Sequence, residues 1–518
     1  MSGKVWLVGA GPGDAGLLTL RGKEVLEQAD VVVCDALISP GVRALIPDSA
    51  RLLDAGQRSG KLGAAREDLS RVLLREAQAG KRVVRLKCGD PFLFGRGDEE
   101  LEALSANNVP FEIVPGVTGA LAIPAYFGIP VTRREFSSGV RIITERQRGG
   151  AEFDYAALFR NAETLVFLMK TAELSEICAG LIQAGADPST PAALLEEGTT
   201  ARQRGTFSTL GGLEEACPNP RTPALIVVGE VCRLSDRFAW RDAGALSGMR
   251  VAVTRPKALA ADLARRLREE GAEVLEIPAI ETRPIANNRA LSDALRNLLS
   301  YDWIAFTSPT AVRTFFDALL QVSDARALSD AKIAAIGPGT RRALRDCGVR
   351  ADFTPSAYDA AAMGRELAEL CPPDTRILIP RAAKGHSAPL TDALRRVPCA
   401  VEEIAIYETV PAPCRALDLK ALIASGGVDF VTFTSASTVS GFASAVKGVD
   451  FTKIRAVCIG ERTAAKAQAL KMRVWTAKEA TLDALISCAE EAAEAIRSER
   501  DAKSESRGAS ARKTDGAA

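Results

Sequence analysis

Asp302 to Val312 reads DWIAFTSPTAV, and Asp429 to Val439 reads DFVTFTSASTV. Each copy is a short β-branched and aromatic run, then a hydroxyl-rich turn, then the opening of a helix. A second pair travels with the first. Ile333 to Arg345 (IAAIGPGTRRALR) resembles Val457 to Ala469 (VCIGERTAAKAQA). The copies lie about 125 residues apart, too far for a solenoid repeat and right for two similar α/β lobes.

Outward from that repeat, Met249 to Pro256 (MRVAVTRP) restarts a strand as a fresh domain would. Before it, Arg241 to Gly248 (RDAGALSG) is polar and rich in small residues, as a linker is. The first 240 residues alternate strand-like and helical runs: VWLVGA, TLRGKEVLEQA, DVVVCD, EDLSRVLLREAQAG, RVVRLK, DEELEALSANN and FEIVP. That alternation predicts a parallel sheet with crossover helices. Past Pro115-Gly116, strands are expected at Gly139–Thr144, Thr164–Met169, Ala192–Glu196 and Ala224–Gly229, so the half reads as two α/β lobes hinged near Pro115 to Ala120. From Glu490 onward apolar periodicity fades, which predicts a frayed helix and a disordered tail. The expected layout is 1–240, a linker at 241–248, 249–489, and a tail at 490–518.

Bulk composition narrows the function. The 518 residues carry a formal net charge of +1, so no general basic field draws the chain to nucleic acid or to a membrane surface. The N-terminus has no signal-peptide core, and no apolar run approaches the roughly 18 residues of a membrane span; a soluble, cytoplasmic chain is expected. Eleven cysteines without a C-x-x-C pair suit reduced core thiols. With His386 as the sole histidine, a histidine-ligated metal site or a His-based triad is not expected, and no metal is assigned.

Val8 to Asp14 (VGAGPGD) puts three glycines after the first strand, where α/β sheets bind ligands. Alone, the motif reads equally as a tight strand–helix connection. Joined in order by RVVRLKCGDPFLFGRG, VPGVTGALAIPAYFGIPVT, LVFLMK, LLEEGTTARQRGTF and TPALIVVGEV, it resembles uroporphyrinogen-III C-methyltransferase, within the tetrapyrrole methylase family. The resemblance implies two α/β lobes with S-adenosylmethionine in the cleft between them. It also implies cofactor contacts at Pro12, Cys88, Gly89, Asp90, Leu93, Thr118, Gly119, Met169, Gly198 and Ala224, and a dimer through this half. Asp35, closing VVVCD, matches the family's proposed proton acceptor; it also suits a simple cap of the next turn.

Four departures cluster here. The family's D-R-L-x-S is Asp35-Ala36-Leu37-Ile38-Ser39, and its G-K-R-x-G lysine is Gln57. Cys88 replaces a usual glycine, and T-G-H becomes Thr144-Glu145-Arg146. They support a second reading, in which this half binds cofactor or porphyrinogen and scaffolds its partner while transferring methyl groups poorly.

MRVAVTRP, GAEVLEIPAIET, YDWIAFTSPTAV, IAAIGPGTRRAL, TRILIPRA, VEEIAIYETVP, DFVTFTSASTV and AVCIGERTAAKA together resemble uroporphyrinogen-III synthase. The resemblance implies two flavodoxin-like lobes, crossed at Pro278 to Thr282 and Tyr407 to Thr409, that bind hydroxymethylbilane and cyclise it with inversion of the last pyrrole ring. Orientation of a folded acidic tetrapyrrole does most of that work. Thr307, Ser308, Gly337, Thr340, Thr434, Ser435 and Thr463 fall at strand–helix turns, where hydroxyls and N–H groups can grip carboxylates; helix capping explains the hydroxyls as well. Tyr407 matches the family tyrosine that assists departure of the hydroxyl, and also suits a structural aromatic at a hinge. Arg255 and Arg381 can face carboxylates or close helix ends. The whole chain thus reads as α/β throughout: a two-lobed methylase that turns uroporphyrinogen III into precorrin-2 by methylation at C2 and C7, followed by a two-lobed synthase. Whether siroheme, cobalamin or heme lies downstream is open.

Overall fold

The computed structural model describes residues 3–55, 64–144, 154–158, 163–169, 173–384, 388–412, 414 and 416–514. It divides into two compact units, 1–279 with 413–518, and 280–412.

The larger unit begins with β1 (Lys4–Gly9), β2 (Val31–Cys34), β3 (Arg51–Asp54), β4 (Arg82–Lys87) and β5 (Phe111–Val114). They form one all-parallel sheet ordered β3-β2-β4-β1-β5. Apolar residues cover both of its faces, Val8, Val32, Val84 and Leu86 on one and Leu7, Val33, Val83 and Leu104 on the other. Buried parallel strands are usually apolar throughout, which makes the charged Arg85 and Lys87 inside β4 conspicuous.

After Val114 the chain passes into the helix Gly119–Tyr126, capped by the Thr118 hydroxyl, and enters a second sheet. Its strands are β6 (Gly139–Thr144), β7 (Glu163–Met169), β8 (Pro191–Glu196), β9 (Arg204–Thr209) and β10 (Ala224–Val228), ordered β6-β7-β10-β8-β9. Only β6 and β7 are parallel; the other pairs run antiparallel. Strand β9 was not foreseen, because RGTFST is short and half exposed.

The synthase-like half supplies β11 (Arg250–Val253), β12 (Glu273–Glu276), β13 (Ile280–Pro284), β14 (Trp303–Phe306), β15 (Lys332–Ala335), β16 (Arg376–Ala382), β17 (Ala400–Pro411), β18 (Phe430–Phe433), β19 (Arg455–Cys458) and β20 (Arg473–Thr476). In the larger unit a parallel sheet runs β12-β11-β18-β19-β20; in the smaller unit the order is β13-β17-β16-β14-β15. The chain leaves one unit at Ala279 and returns at Pro413, and β13 pairs antiparallel with β17 there, matching Thr282 to Thr409.

The repeat is structural. Asp302 accepts the N–H of Arg376 on its neighbouring strand at 2.8 Å, and Asp429 that of Arg250 at 2.7 Å. Ser308 and Ser435 each cap the following helix through the N–H three residues on, at Ala311 and Thr438.

Within the expected linker 241–248, Leu246 is fully buried and donates its N–H to Glu270 O. One expectation needs correction: the tail does not begin at Glu490, because the helix Leu482–Thr514 runs on and buries Ala492, Ala493 and Ile496. Alanines and an isoleucine spaced along one face suffice for packing even in so polar a sequence. Among the described residues no helix is long and apolar enough to cross a membrane.

Candidate functional site

Three strand ends of the first sheet converge on one point. Gly11 and Gly89 exchange backbone hydrogen bonds, Gly11 N to Gly89 O at 3.2 Å and Gly89 N to Gly11 O at 2.9 Å. A Cβ added to Gly116 would stand 2.2 Å from Gly89 O and 2.6 Å from Gly9 Cα. Only glycine permits three main chains to meet so closely, so VGAGPGD, GDPFLFG and VPGVTG are one structural object.

Most of the residues expected to hold a cofactor surround that junction. A Cβ on Gly119 would lie 3.6 Å from Pro12 Cβ, and one on Gly89 would lie 3.9 Å from Gly119 N. Gly198 comes in from the second lobe, with room for no side chain beside Ile123 of the helix that starts at Gly119. Ala224 pairs with Met169 on one side and Glu196 on the other; Met169 is placed by its backbone alone. Thr118 accepts the Ala120 N–H. Leu93 is half-buried in the turn between β4 and the helix Gly97–Ala106. Asp90 uses both oxygens on backbone, taking Phe92 N at 2.8 Å and Gly116 N at 2.9 Å. Its carboxylate therefore shapes the loop directly.

Asp35 sits at the end of β2. Arg85 Nη2 donates to its Oδ1 at 2.5 Å, and Cys88 N reaches its Oδ2 at 3.4 Å. Arg85 is almost fully buried and also meets Glu100 at 3.0 Å, as Lys87 does. A relay Lys87–Glu100–Arg85–Asp35 thus runs out of the core to a carboxylate whose side chain remains 30% exposed. Sequence reading missed this relay. The signal was present: two charges two residues apart point to one face of a strand that should be apolar on both faces. Cys88 is accommodated, its sulfur 4.0 Å from Gly11 O and its thiol pushed up to about 11, chiefly by burial and further by Asp35. Leu37, next to Ala36 in the chain, is exposed. Gln57, Glu145, Arg146 and His386 lie outside the described residues.

Two further groups were also missed. Asp14 takes the Tyr126 hydroxyl at 2.8 Å and the Gly16 N–H at 2.7 Å, and its own N–H donates to Thr199 Oγ1 at 3.1 Å. Glu197 and Thr199 both hold left-handed backbone angles, with φ of 46° and 67°. Non-glycine residues rarely adopt such angles, and they cluster where surrounding structure enforces them.

In the smaller unit, Ser308 Oγ and Tyr407 Oη are 3.0 Å apart, joining the first hydroxyl turn to β17. Thr307 is half-buried beside them, and Gly337 begins the helix Pro338–Asp346. Arg381 donates to Ala382 O at 2.8 Å, and its Nε lies 2.8 Å from Glu403 without hydrogen-bond alignment. In the larger unit, Thr434 and Ser435 form the matching turn, and Ser435 also meets Ser437 Oγ at 2.9 Å. Arg255 is half-buried, and burial lowers its pKa. Thr340 and Thr463, at equivalent places in the repeat, are both buried, which fits helix packing better than contact with a large ligand.

Residues 4–214 match the family model for tetrapyrrole (corrin/porphyrin) methylases, and residues 261–487 match that for uroporphyrinogen-III synthase HemD. The chain is 41% identical over 489 residues to the porphyrin biosynthesis protein HemD of Ruminiclostridium josui, covering 93% of this chain and 97% of that one. It is 48% identical over 238 residues to siroheme synthase 2 of Klebsiella pneumoniae, where it spans about half of that protein's length, 52%. Among solved structures, the uroporphyrin-III C-methyl transferase of Thermus thermophilus complexed with S-adenyl homocysteine is 38% identical. It covers 45% of this chain and 99% of its own, with a TM-score of 0.39.

Proposed function

The chain belongs to the family that joins a tetrapyrrole methylase to a uroporphyrinogen-III synthase, and from that premise we propose that it carries out two consecutive steps on one ring. Its second half cyclises hydroxymethylbilane to uroporphyrinogen III. Its first half, with S-adenosylmethionine as methyl donor, methylates that product at C2 and C7 to give precorrin-2. The domains behind these steps are 1–240 and 249–489, in the cytoplasm.

The observation that carries the methylase reading is the glycine junction beside Asp35. The residues fit a sulfonium cofactor: Gly89 and Gly119 leave main chain open where a side chain would stand, Thr118 adds a hydroxyl, and Pro12 and Leu93 add apolar surface. When bound, the cofactor would supply an electrophilic methyl group to the ring carbons C2 and C7, both pyrrole β-carbons, leaving positive charge on the ring. Asp35, held by Arg85 and the Cys88 N–H, is oriented to accept the pyrrole N–H and to stabilise that charge. A fixed carboxylate needs no reorganisation during the step, which is the source of its advantage over a mobile one.

In the synthase, the pyrrole nitrogens drive loss of the hydroxyl, so a strong acid is unnecessary. Tyr407, hydrogen-bonded to Ser308, is the donor we assign to the departing hydroxyl. Thr307, Thr434, Ser435 and the N-termini behind them are assigned to substrate carboxylates.

The test is incubation of the whole chain with hydroxymethylbilane, with and without S-adenosylmethionine. The reading predicts the type III ring without the cofactor and the precorrin-2 absorption spectrum with it. Type III ring in both mixtures, with no methylated product, would establish the scaffold reading suggested by Ala36, Gln57, Cys88 and Glu145-Arg146. Only the spontaneous type I ring would sink the cyclase.

A further inference from the structure

The loop Glu197–Gln203 belongs by sequence to the methylase half, yet two carboxylates of the synthase half hold it. Ala201 N donates to Glu273 Oε2 at 2.7 Å. Arg202 Nη2 donates to Asp429 Oδ1 and to Gly426 O, each at 3.0 Å. Both carboxylates are buried. Glu273 also stands 2.9 Å from Arg250 Nε, and Asp429 accepts the Arg250 N–H and meets Arg500.

The internal repeat provides a control. Asp302 occupies the place of Asp429 in the other copy and makes the same strand-to-strand hydrogen bond, yet it is exposed. Capping the neighbouring strand therefore does not require burial. What distinguishes Asp429 is the arginines that reach it, one of them from the methylase loop. Apolar packing accompanies the polar contacts: Ala416 joins the core beneath β1, and Ala44 packs against the core around β18.

The other end of this loop reaches the cofactor junction. Gly198 abuts Ile123, and the Thr199 hydroxyl takes the Asp14 N–H while standing where a Cβ on Gly13 would be. Between the two ends the loop is braced internally: Thr200 Oγ1 donates to Glu197 O and accepts from Arg202 N, and Thr199 N donates to Gln203. The two left-handed residues, Glu197 and Thr199, lie within it, so the loop is held in a conformation it would rarely adopt alone.

We propose that Arg202, anchored by the synthase carboxylate Asp429, is a positioning residue for the methyl donor: together with Glu273 on the Ala201 N–H, the fused synthase lobe completes the donor site by holding the Glu197–Gln203 loop in its bound shape. This rests on the cofactor reading above. A pre-ordered loop spares the ligand the entropy of ordering it, so releasing the anchor weakens binding without altering the reacting groups.

The experiment uses the full chain and S-adenosylhomocysteine as probe, in calorimetry, with Arg202→Ala and Arg202→Lys. We expect Arg202→Ala to weaken binding about fivefold or more and to raise KM for S-adenosylmethionine with kcat unchanged. Hydrogen exchange should quicken at residues 199–203, cyclase turnover should stay at the parent rate, and Arg202→Lys should recover part of the affinity. Equal affinity and equal exchange in parent and Arg202→Ala would overturn the proposal, as would equal losses in both activities, which signal general unfolding. A parent chain that binds no probe would sink the cofactor reading itself, and the anchoring role with it.

Discussion

Arg85 Nη2 lies 2.5 Å from Asp35 Oδ1, and the arginine is buried while the aspartate is not. A buried cation thus fixes the direction of a carboxylate that stays partly exposed. The two ends of this pair should respond differently to mutation. Asp35→Asn should lower kcat for methyl transfer on the order of a hundredfold or more and leave S-adenosylhomocysteine affinity unchanged. Arg85→Met strands Glu100 with Lys87 alone and should cost about 3 kcal/mol of stability, read as a shift in the denaturation midpoint. A calorimetric and kinetic comparison of the two variants separates chemistry from folding.

Gly116 offers a steric prediction. Its Cβ would collide with Gly89 O and with the Gly9 backbone, neither of which can swing aside as a side-chain tip can. Gly116→Ala should abolish probe binding while cyclisation continues, since the strained contacts all lie in the methylase half. Retained affinity would mean the three strand ends are not held together as described.

For the synthase, Tyr407→Phe keeps the ring in its apolar surroundings and removes only the hydroxyl that meets Ser308. The enzymatic rate should fall about tenfold, the worth of one well-placed hydrogen bond. Because spontaneous closure gives the type I ring, the type III to type I ratio should fall with it. Chromatography of the oxidised products reads that ratio directly.

Cys88 has a thiol raised to about 11, by burial first and by the Asp35 charge second. The thiolate is the reactive form, and at pH 8 it is about one part in a thousand. Cys88 should therefore resist iodoacetamide at pH 8 and become reactive only as pH rises toward about 11. Peptide mass spectrometry across that range checks both the direction and the threshold. Rapid labelling at pH 8 would contradict the packing of its sulfur against Gly11 O.

Much of this was readable locally. VGAGPGD declared a close backbone approach, and the two FTS segments declared paired strand–turn–helix units whose serines cap the helices as placed. Turn chemistry and strand period act within a few residues, so such features survive in a linear reading. The relay through Arg85 was half visible, as two charges in a strand that should be apolar. Its partner was not, because Glu100 and Asp35 approach Arg85 only after β2, β4 and the following helix are laid side by side.

Residues 490–502 show the opposite error. Polar composition predicted a tail, whereas Ala492, Ala493 and Ile496 are core. Composition averages over a segment, but a few well-spaced apolar side chains are enough to anchor it once a matching surface exists. So the amino-acid order alone settled the α/β class and the two-part plan, because backbone sterics and hydrophobic period are properties of neighbours along the chain. The tertiary structure alone decided that Asp35 answers to Arg85, and that Arg202 answers to Asp429 from 227 residues away. Ion pairs of that kind depend on distances no sequence spacing encodes.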